Sequence, residues 1–111
     1  MSIQLLTSRD LLESPRSLDG KRFVISGLLI VKEKSAWVEL DNDDSLGRLQ
    51  VENDDLVERL LDSVPCYLGG EYLYRDRARL TCVLEADKDG AVHISRVESG
   101  EVTRDGAAFS F

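Results

Sequence analysis

The stretch from Leu18 to Leu40, LDGKRFVISGLLIVKEKSAWVEL, places the strongest constraint on how this chain folds. Residues 23–31 form an apolar run rich in β-branched side chains, which favours a strand. Gly27 in its middle predicts a bulge or a sharp bend, as found where a strand turns a barrel corner. A charged turn over 32–35 leads into a second strand over 36–40, whose residues alternate with period two. The alternation turns three residues toward the core and two outward: inward Ala36, Val38 and Leu40, outward Trp37 and Glu39.

Two helices are predicted outside this hairpin. Residues 7–16 indicate a short helix that ends near Pro15, because Ser and Thr side chains at its start can accept from the first backbone amides. Leucine and valine recur at helical spacing over 55–64. This pattern predicts an amphipathic helix that ends before Pro65 and covers one end of a barrel.

Three further strands complete the expected sheet. Residues 46–51 alternate after an acidic turn, and residues 78–86 and 91–97 flank the dipeptide Asp89-Gly90. Asp-Gly between two β-forming runs is a strong hairpin signal. The chain is therefore expected to run as a short helix, three strands, a helix and two strands. Its last residues, 99–111, are expected to form a turn and an apolar tail, with docking of Phe109 and Phe111 on the barrel favoured over contact with a partner.

This order resembles the OB-fold superfamily. The resemblance is carried by LDGKRFVISG at 18–27, AWVEL at 36–40, the helix at 55–64, and GGEYLYRDRARLTCVL leading into AVHISRV. It implies an all-β fold with small helices, namely a five-stranded Greek-key OB barrel with a helix between strands 3 and 4 and a short N-terminal helix. One domain would span 1–111, with a helical lead-in over 1–17. Because OB barrels serve unrelated functions, the resemblance implies the fold and not an activity.

The composition predicts a soluble, cytoplasmic protein. No secretory leader and no apolar run of membrane-spanning length is present, and the two cysteines, Cys66 and Cys82, lack the spacing of a metal or redox motif. The formal net charge is -7, and residues 41–62 alone carry two basic and eight acidic side chains. This balance disfavours non-specific coating of nucleic acid, because phosphate binding depends on Lys and Arg. The chain is expected to be a monomer or a homodimer.

No catalytic or metal site is predicted. Asp41, Asp43, Ser45 and Glu52 match positions 1, 3, 5 and 12 of a calcium loop, but Leu46 stands where that loop requires glycine, so a solvated acidic turn is favoured. The only histidine, His93, lies in a strand without a nucleophile motif. We therefore expect no enzyme and no cofactor, and we keep catalysis by paired carboxylates as a minor alternative.

Two groups of side chains are candidates for a binding surface. Trp37, Arg48 and Gln50 should point outward from neighbouring strands, on the face that OB barrels commonly use. Arg75, Arg77 and Arg79 occupy alternate positions and would share one face of a strand, next to Tyr72 and Tyr74. The opposing interpretation is that these arginines pair with Glu71, Asp76 and the acidic loops, and this interpretation is favoured because the net charge is negative.

These groups lead to two functional hypotheses. The first is a non-catalytic module that binds a protein partner, in an adaptor or immunity-type role, with Trp37 as an anchor and the acidic region over 41–62 steering a basic partner. The acidic residues meant here are Asp41, Asp43, Asp44, Glu52, Asp54 and Asp55. The second hypothesis is single-stranded nucleic-acid binding, with Trp37 and Tyr72 or Tyr74 stacking on bases and the arginines on phosphates. The charge favours the first.

Overall fold

Among the residues that the computed structural model of the chain describes, the regular structure comprises six β-strands, one α-helix and one 3-10 helix. The elements are a 3-10 helix (Pro15–Leu18), β1 (Arg22–Lys32), β2 (Ser35–Leu40), β3 (Arg48–Val51), α1 (Leu56–Ser63), β4 (Tyr74–Ala86), β5 (Val92–Arg104) and β6 (Ala107–Ser110). The structure describes residues 5–6, 15–33, 35–40, 48–52, 55–66 and 70–111.

The strands close into a barrel. Their order is β3-β2-β1-β4-β5-β6, and β3 also pairs with β5, which joins the two sides of the sheet. The closing pair is parallel, at Val51 and Ile94, and every other pair of neighbours is antiparallel. Five strands thus form a closed barrel, as the sequence predicts, and β6 extends the sheet beyond β5 as the second strand of a hairpin.

The core follows the period-two alternation of the strands. On β2 the residues predicted to face inward, Ala36, Val38 and Leu40, are buried, and on β1 Phe23 and Ile25 occupy buried alternate positions. The helix α1 buries Leu56 and Leu60 in the same apolar cluster. Successive side chains along one strand therefore face opposite sides of the sheet: one set lies in the core and the other on the outer surface.

Gly27 marks the point at which β1 begins to pair with β2, opposite Leu40. A Cβ atom at this position would lie 2.1 Å from the backbone oxygen of Glu39, so no larger residue fits without a shift of the backbone. The pairings of β1 run without a register shift, so there is no bulge at Gly27, and the alternative expectation of a sharp bend stays a prediction. The irregularities occur between β4 and β5 instead, at Thr81/Cys82 and Val83/Leu84.

The C-terminal part of the chain is more regular than predicted. β5 continues to Arg104, and the expected tail forms β6. Asp105 and Gly106 both have positive φ, at 51° and 84°, as a two-residue turn between right-twisted strands requires. Phe109 and Phe111 pack against the core, in agreement with docking on the barrel.

Parts of two other predictions lie outside the described residues. Of the helix expected over 7–16, only its last two residues are described, and they belong to the 3-10 helix. The acidic turn over 41–45 and the first two residues of the predicted third strand also lie outside them. Within the described part of the chain, no helix has the length and apolar character needed to cross a membrane.

Candidate functional site

The outer side of the barrel brings Trp37 and the arginines of β4 onto one continuous surface. Trp37 on β2 lies opposite Gln50 on β3 and opposite Ile30 on β1, and Ile30 in turn lies opposite Arg75 on β4. Directly opposed residues have Cβ atoms about 4.5–5.5 Å apart, so these four side chains form one row across four strands. We call this region the aromatic–arginine surface; it comprises Leu28, Ile30, Trp37, Arg48, Gln50, Tyr72, Arg75, Arg77 and Arg79.

Trp37 is held under the guanidinium group of Arg48. The Cζ atom of Arg48 lies 4.3 Å from the centroid of the indole ring, which is a close cation–π contact. The indole is half-buried, and its Nε1 donor is buried without a hydrogen-bond acceptor in the described residues. A buried donor without an acceptor costs about 1–3 kcal/mol.

The arginines of β4 are exposed on alternate positions, as predicted. The burial pattern of β4 begins with buried Tyr74 and exposed Arg75, and this alternation continues through Arg77 and Arg79. The three residues lie opposite Ile30, Leu28 and Ser26 of β1, respectively. We call them the arginine ladder. Successive members are about 6.6–6.8 Å apart, two residues along an extended strand.

The carboxylates that were expected to neutralise the ladder bind other cations. Asp76 points inward, is 5% exposed and forms a two-pronged ion pair with Arg104, at 2.9 and 2.6 Å. Glu71 accepts a hydrogen bond from the amine of Lys32 at 2.7 Å, and this contact holds the pKa of Glu71 below and that of Lys32 above its usual value. Asp76 and Glu71 are thus engaged by Arg104 and Lys32, and the acidic turn over 41–45, the other group expected to pair with the ladder, lies outside the described residues.

Two other carboxylates do lie on or beside the aromatic–arginine surface. Glu39 is opposite Arg48 on β3 and Leu28 on β1, and Glu101 on β5 is opposite Arg79. Both are exposed. Counting only described residues, four arginines against two glutamates give this region a charge of +2, in a chain whose formal net charge is -7. The surface is therefore basic but of mixed sign.

The two tyrosines next to the ladder have different surroundings. Tyr72 is half-buried, with the guanidinium of Arg75 6.0 Å from its ring centroid, at the outer limit of a cation–π contact. Tyr74 is fully buried and donates its hydroxyl to the carbonyl of Val64 at 2.7 Å. Tyr74 belongs to the inward-facing set of β4, so its prediction as a binding residue is wrong.

The acidic region is described only in part. Glu52 lies 3.5 Å from the Nε2 of His93, and Asp55 lies 3.8 Å from Arg59, so both described members have a basic neighbour. The other members, Asp41, Asp43, Asp44 and Asp54, lie outside the described residues, as does most of the calcium-like pattern. Among the residues that the structure describes, no group of three or more metal-ligating side chains occurs.

Ile30 and Leu28 are the residues of this surface that the sequence analysis missed. Ile30 points outward yet is only 5% exposed, and Leu28 is half-buried. The signal was present in the consecutive apolar residues 28–31 of β1, because a strand segment in which every residue is apolar is expected to be covered on both faces. These two side chains form an apolar strip between Trp37 and the arginine ladder.

Comparison of the chain with protein-family models, with curated proteins and with solved structures gave no match.

Proposed function

We propose that this chain is a non-catalytic binding module that holds a protein partner on its aromatic–arginine surface. The observation that carries the proposal is the contact between Arg48 and Trp37, at 4.3 Å. Tryptophan and arginine are the residue types most enriched among those that dominate protein interfaces. Because the two side chains are already stacked in the free protein, binding of a partner costs little further side-chain entropy at this pair.

The surroundings of this pair support a protein partner. The apolar strip of Ile30 and Leu28 lies beside Trp37, and charged groups surround it. An apolar centre with a polar rim is the usual anatomy of a protein interface. The mixed signs also favour a protein, since a protein can offer carboxylates to the arginines and cations to Glu39 and Glu101, whereas a polyanion is repelled by both glutamates.

The experiment compares capture of proteins from a lysate of the source cells by immobilised wild type, Trp37→Ala and Arg96→Ala. Arg96 is exposed and lies 3.5 Å from Glu98, outside the aromatic–arginine surface, so its variant is the matched control. With nuclease present, we expect at least one protein to be retained by wild type and control and lost from Trp37→Ala. Circular dichroism confirms that the variants are folded. Retention of the same proteins by all three chains would contradict the proposal.

A second candidate function is single-stranded nucleic-acid binding, and the ladder is the observation that favours it. Asp76 and Glu71 contact Arg104 and Lys32, respectively, and Tyr72 lies beside the ladder. Against it, Arg48 covers one face of the only tryptophan, which would have to be uncovered for a base to stack there. Titration of the Trp37 fluorescence with oligothymidine at low salt tests this function; quenching that weakens steeply with added salt would support it.

We further propose that the barrel is a Greek-key barrel of the OB type, acting in the cytoplasm. The parallel pairing of β3 with β5 and the place of α1 between β3 and β4 in the chain support the fold assignment. Neither Cys66 nor Cys82 forms a disulfide, which is consistent with a reducing compartment. A crystal structure that showed a different strand order would contradict the fold assignment.

A further inference from the structure

The arginine ladder gives the aromatic–arginine surface a repeat with a definite spacing. Arg75, Arg77 and Arg79 project from one face of β4 at intervals of about 6.6–6.8 Å. An extended peptide has the same interval between its alternate side chains. A segment with carboxylates at every second residue therefore matches the ladder in both charge and period.

We propose that the aromatic–arginine surface binds an extended acidic segment of the protein partner, in which carboxylates at alternate positions contact the arginine ladder. This inference rests on the proposed function and specifies the chemistry of the partner. The acidic region over 41–62 led to the expectation of a basic partner. The present inference is the opposite, because a basic surface of this chain binds an acidic partner.

Three observations favour this occupant. The ladder is exposed, and its nearest acidic neighbours in sequence, Glu71 and Asp76, are engaged by Lys32 and Arg104. Leu28, which is half-buried, lies opposite Arg77 on the next strand, so a segment placed along β4 gains apolar contact as well as charge. Arginine also binds a carboxylate through two parallel N–H groups. Its affinity therefore depends more strongly on the position of the carboxylate than that of a lysine ammonium does.

Glu101 and Glu39 argue against a uniform polyanion at the same place. Glu101 lies opposite Arg79, and Glu39 lies on β2 next to Leu28. A phosphate backbone carries a charge at every repeat and meets both glutamates, whereas a peptide can leave these positions neutral. For this reason we assign the surface to an acidic peptide rather than to nucleic acid.

The test uses two labelled synthetic peptides of identical composition and measures binding by fluorescence anisotropy at low ionic strength. In the first, Glu alternates with Thr; in the second, the same Glu residues are contiguous and flanked by the Thr residues. We expect the alternating peptide to bind about tenfold more tightly to the wild-type protein. Equal affinities, or no binding of either peptide, would overturn the inference.

Variants of the protein locate the site. Arg75→Gln/Arg79→Gln should weaken binding of the alternating peptide about tenfold and reduce the preference for it, whereas Arg96→Gln, which removes a charge elsewhere, should change the affinity less than about twofold. Equal weakening by both variants would indicate only general charge attraction and would overturn the inference. Tighter binding of oligothymidine than of either peptide would assign the ladder to nucleic acid.

The two proposals fail separately. If a protein is captured in a Trp37-dependent manner but the two peptides bind equally, the acidic-segment inference is wrong and the proposed function stands. If no protein is captured in that manner, the proposed function is wrong whatever the peptides do.

Discussion

Neighbouring residues of β4 alternate between exposed and buried because a strand directs successive side chains to opposite faces. Arg75 is exposed, whereas Tyr74 and Asp76 on either side of it are buried, and both buried groups hydrogen-bond to partners elsewhere in the chain. A shift of one residue in the register of β4 would place the arginines in the core. The same period that builds the core therefore also assembles the arginine ladder.

At the residue scale, the contact between Arg48 and Trp37 predicts a fluorescence change. Trp37 is the only tryptophan, so emission reports on this site alone. Arg48→Ala removes the cation that covers the ring, and we expect emission at longer wavelength and stronger quenching by acrylamide. Arg96→Ala serves as the control and should leave both unchanged. An unaltered spectrum for Arg48→Ala would show that the stacked geometry does not persist in solution.

Tyr74 predicts a stability difference that depends on pH. Tyr74→Phe removes the hydrogen bond to Val64 and should lower the free energy of unfolding by about 1 kcal/mol at neutral pH. Burial raises the pKa of Tyr74 above the ordinary value of 10.0, so above that pH the unfolded chain loses the proton first and wild-type stability falls. The Phe variant lacks this loss at position 74. Denaturant unfolding should therefore show the difference shrinking above pH 10; a constant difference would contradict the assignment.

At the scale of elements, β1 is the strand on which the others depend. It pairs with β2 on one edge and with β4 on the other, and it is largely apolar on both faces. Its inward side chains fill the barrel, and its outward side chains Leu28 and Ile30 form the strip beside the ladder. Gly27 lets β2 approach closely enough to pair with β1. Because this pairing positions the side chains on both faces of the two strands, Gly27 is needed for the core and for the outer surface.

The close approach at Gly27 predicts a large cost for the smallest side chain. Gly27→Ala places a Cβ atom against the backbone of Glu39, and we expect the free energy of unfolding to fall by about 1–3 kcal/mol or more. Gly70→Ala is the matched control, because the nearest atom to its added Cβ is 3.9 Å away, and it should change stability by less than about 0.5 kcal/mol. Similar unfolding curves for the two variants would contradict the packing described for Gly27.

At the scale of the whole molecule, the ion pair of Asp76 and Arg104 ties distant parts of the chain together. Arg104 at the end of β5 contacts Asp76 near the start of β4 and also donates to the carbonyl of Pro65, two residues after α1. The side chains are 3% and 16% exposed, so both charges are largely removed from water. The helix is thereby fixed relative to the end of the barrel.

Removing one partner of this ion pair should lower the free energy of unfolding more than replacing both partners with apolar side chains. Asp76→Ala leaves the guanidinium of Arg104 without its carboxylate, and we expect a loss of about 3–5 kcal/mol in the free energy of unfolding. Asp76→Leu/Arg104→Met removes both charges and should recover most of that loss. Glu101→Gln, an exposed change on β5, is the control for loss of a carboxylate. Equal stability of Asp76→Ala and Glu101→Gln, measured in urea, would show that the pair does not hold these elements together.

The sequence by itself determined the presence of β1 to β5, the helix α1 and the faces of the side chains along β2 and β4. Period-two alternation placed Trp37 outward and Val38 inward, and alternate arginines at 75, 77 and 79 predicted the ladder, because the direction of a side chain depends only on position along its own strand. Asp-Gly at 105–106 also carried the signal for the β5–β6 hairpin. The sequence predicted the turn there, but the residues that form β6 were predicted as an apolar tail.

Only the tertiary structure decided which strands are neighbours. Pairing of β1 with both β2 and β4 placed Ile30 between Trp37 and Arg75, and so united two groups that lie about 40 residues apart in the chain. The same applies to Asp76, whose acidic character suggested an arginine on its own strand but whose partner is Arg104 on β5. Local periodicity carries no information on pairing between distant strands, which follows from closure of the barrel and burial of its core.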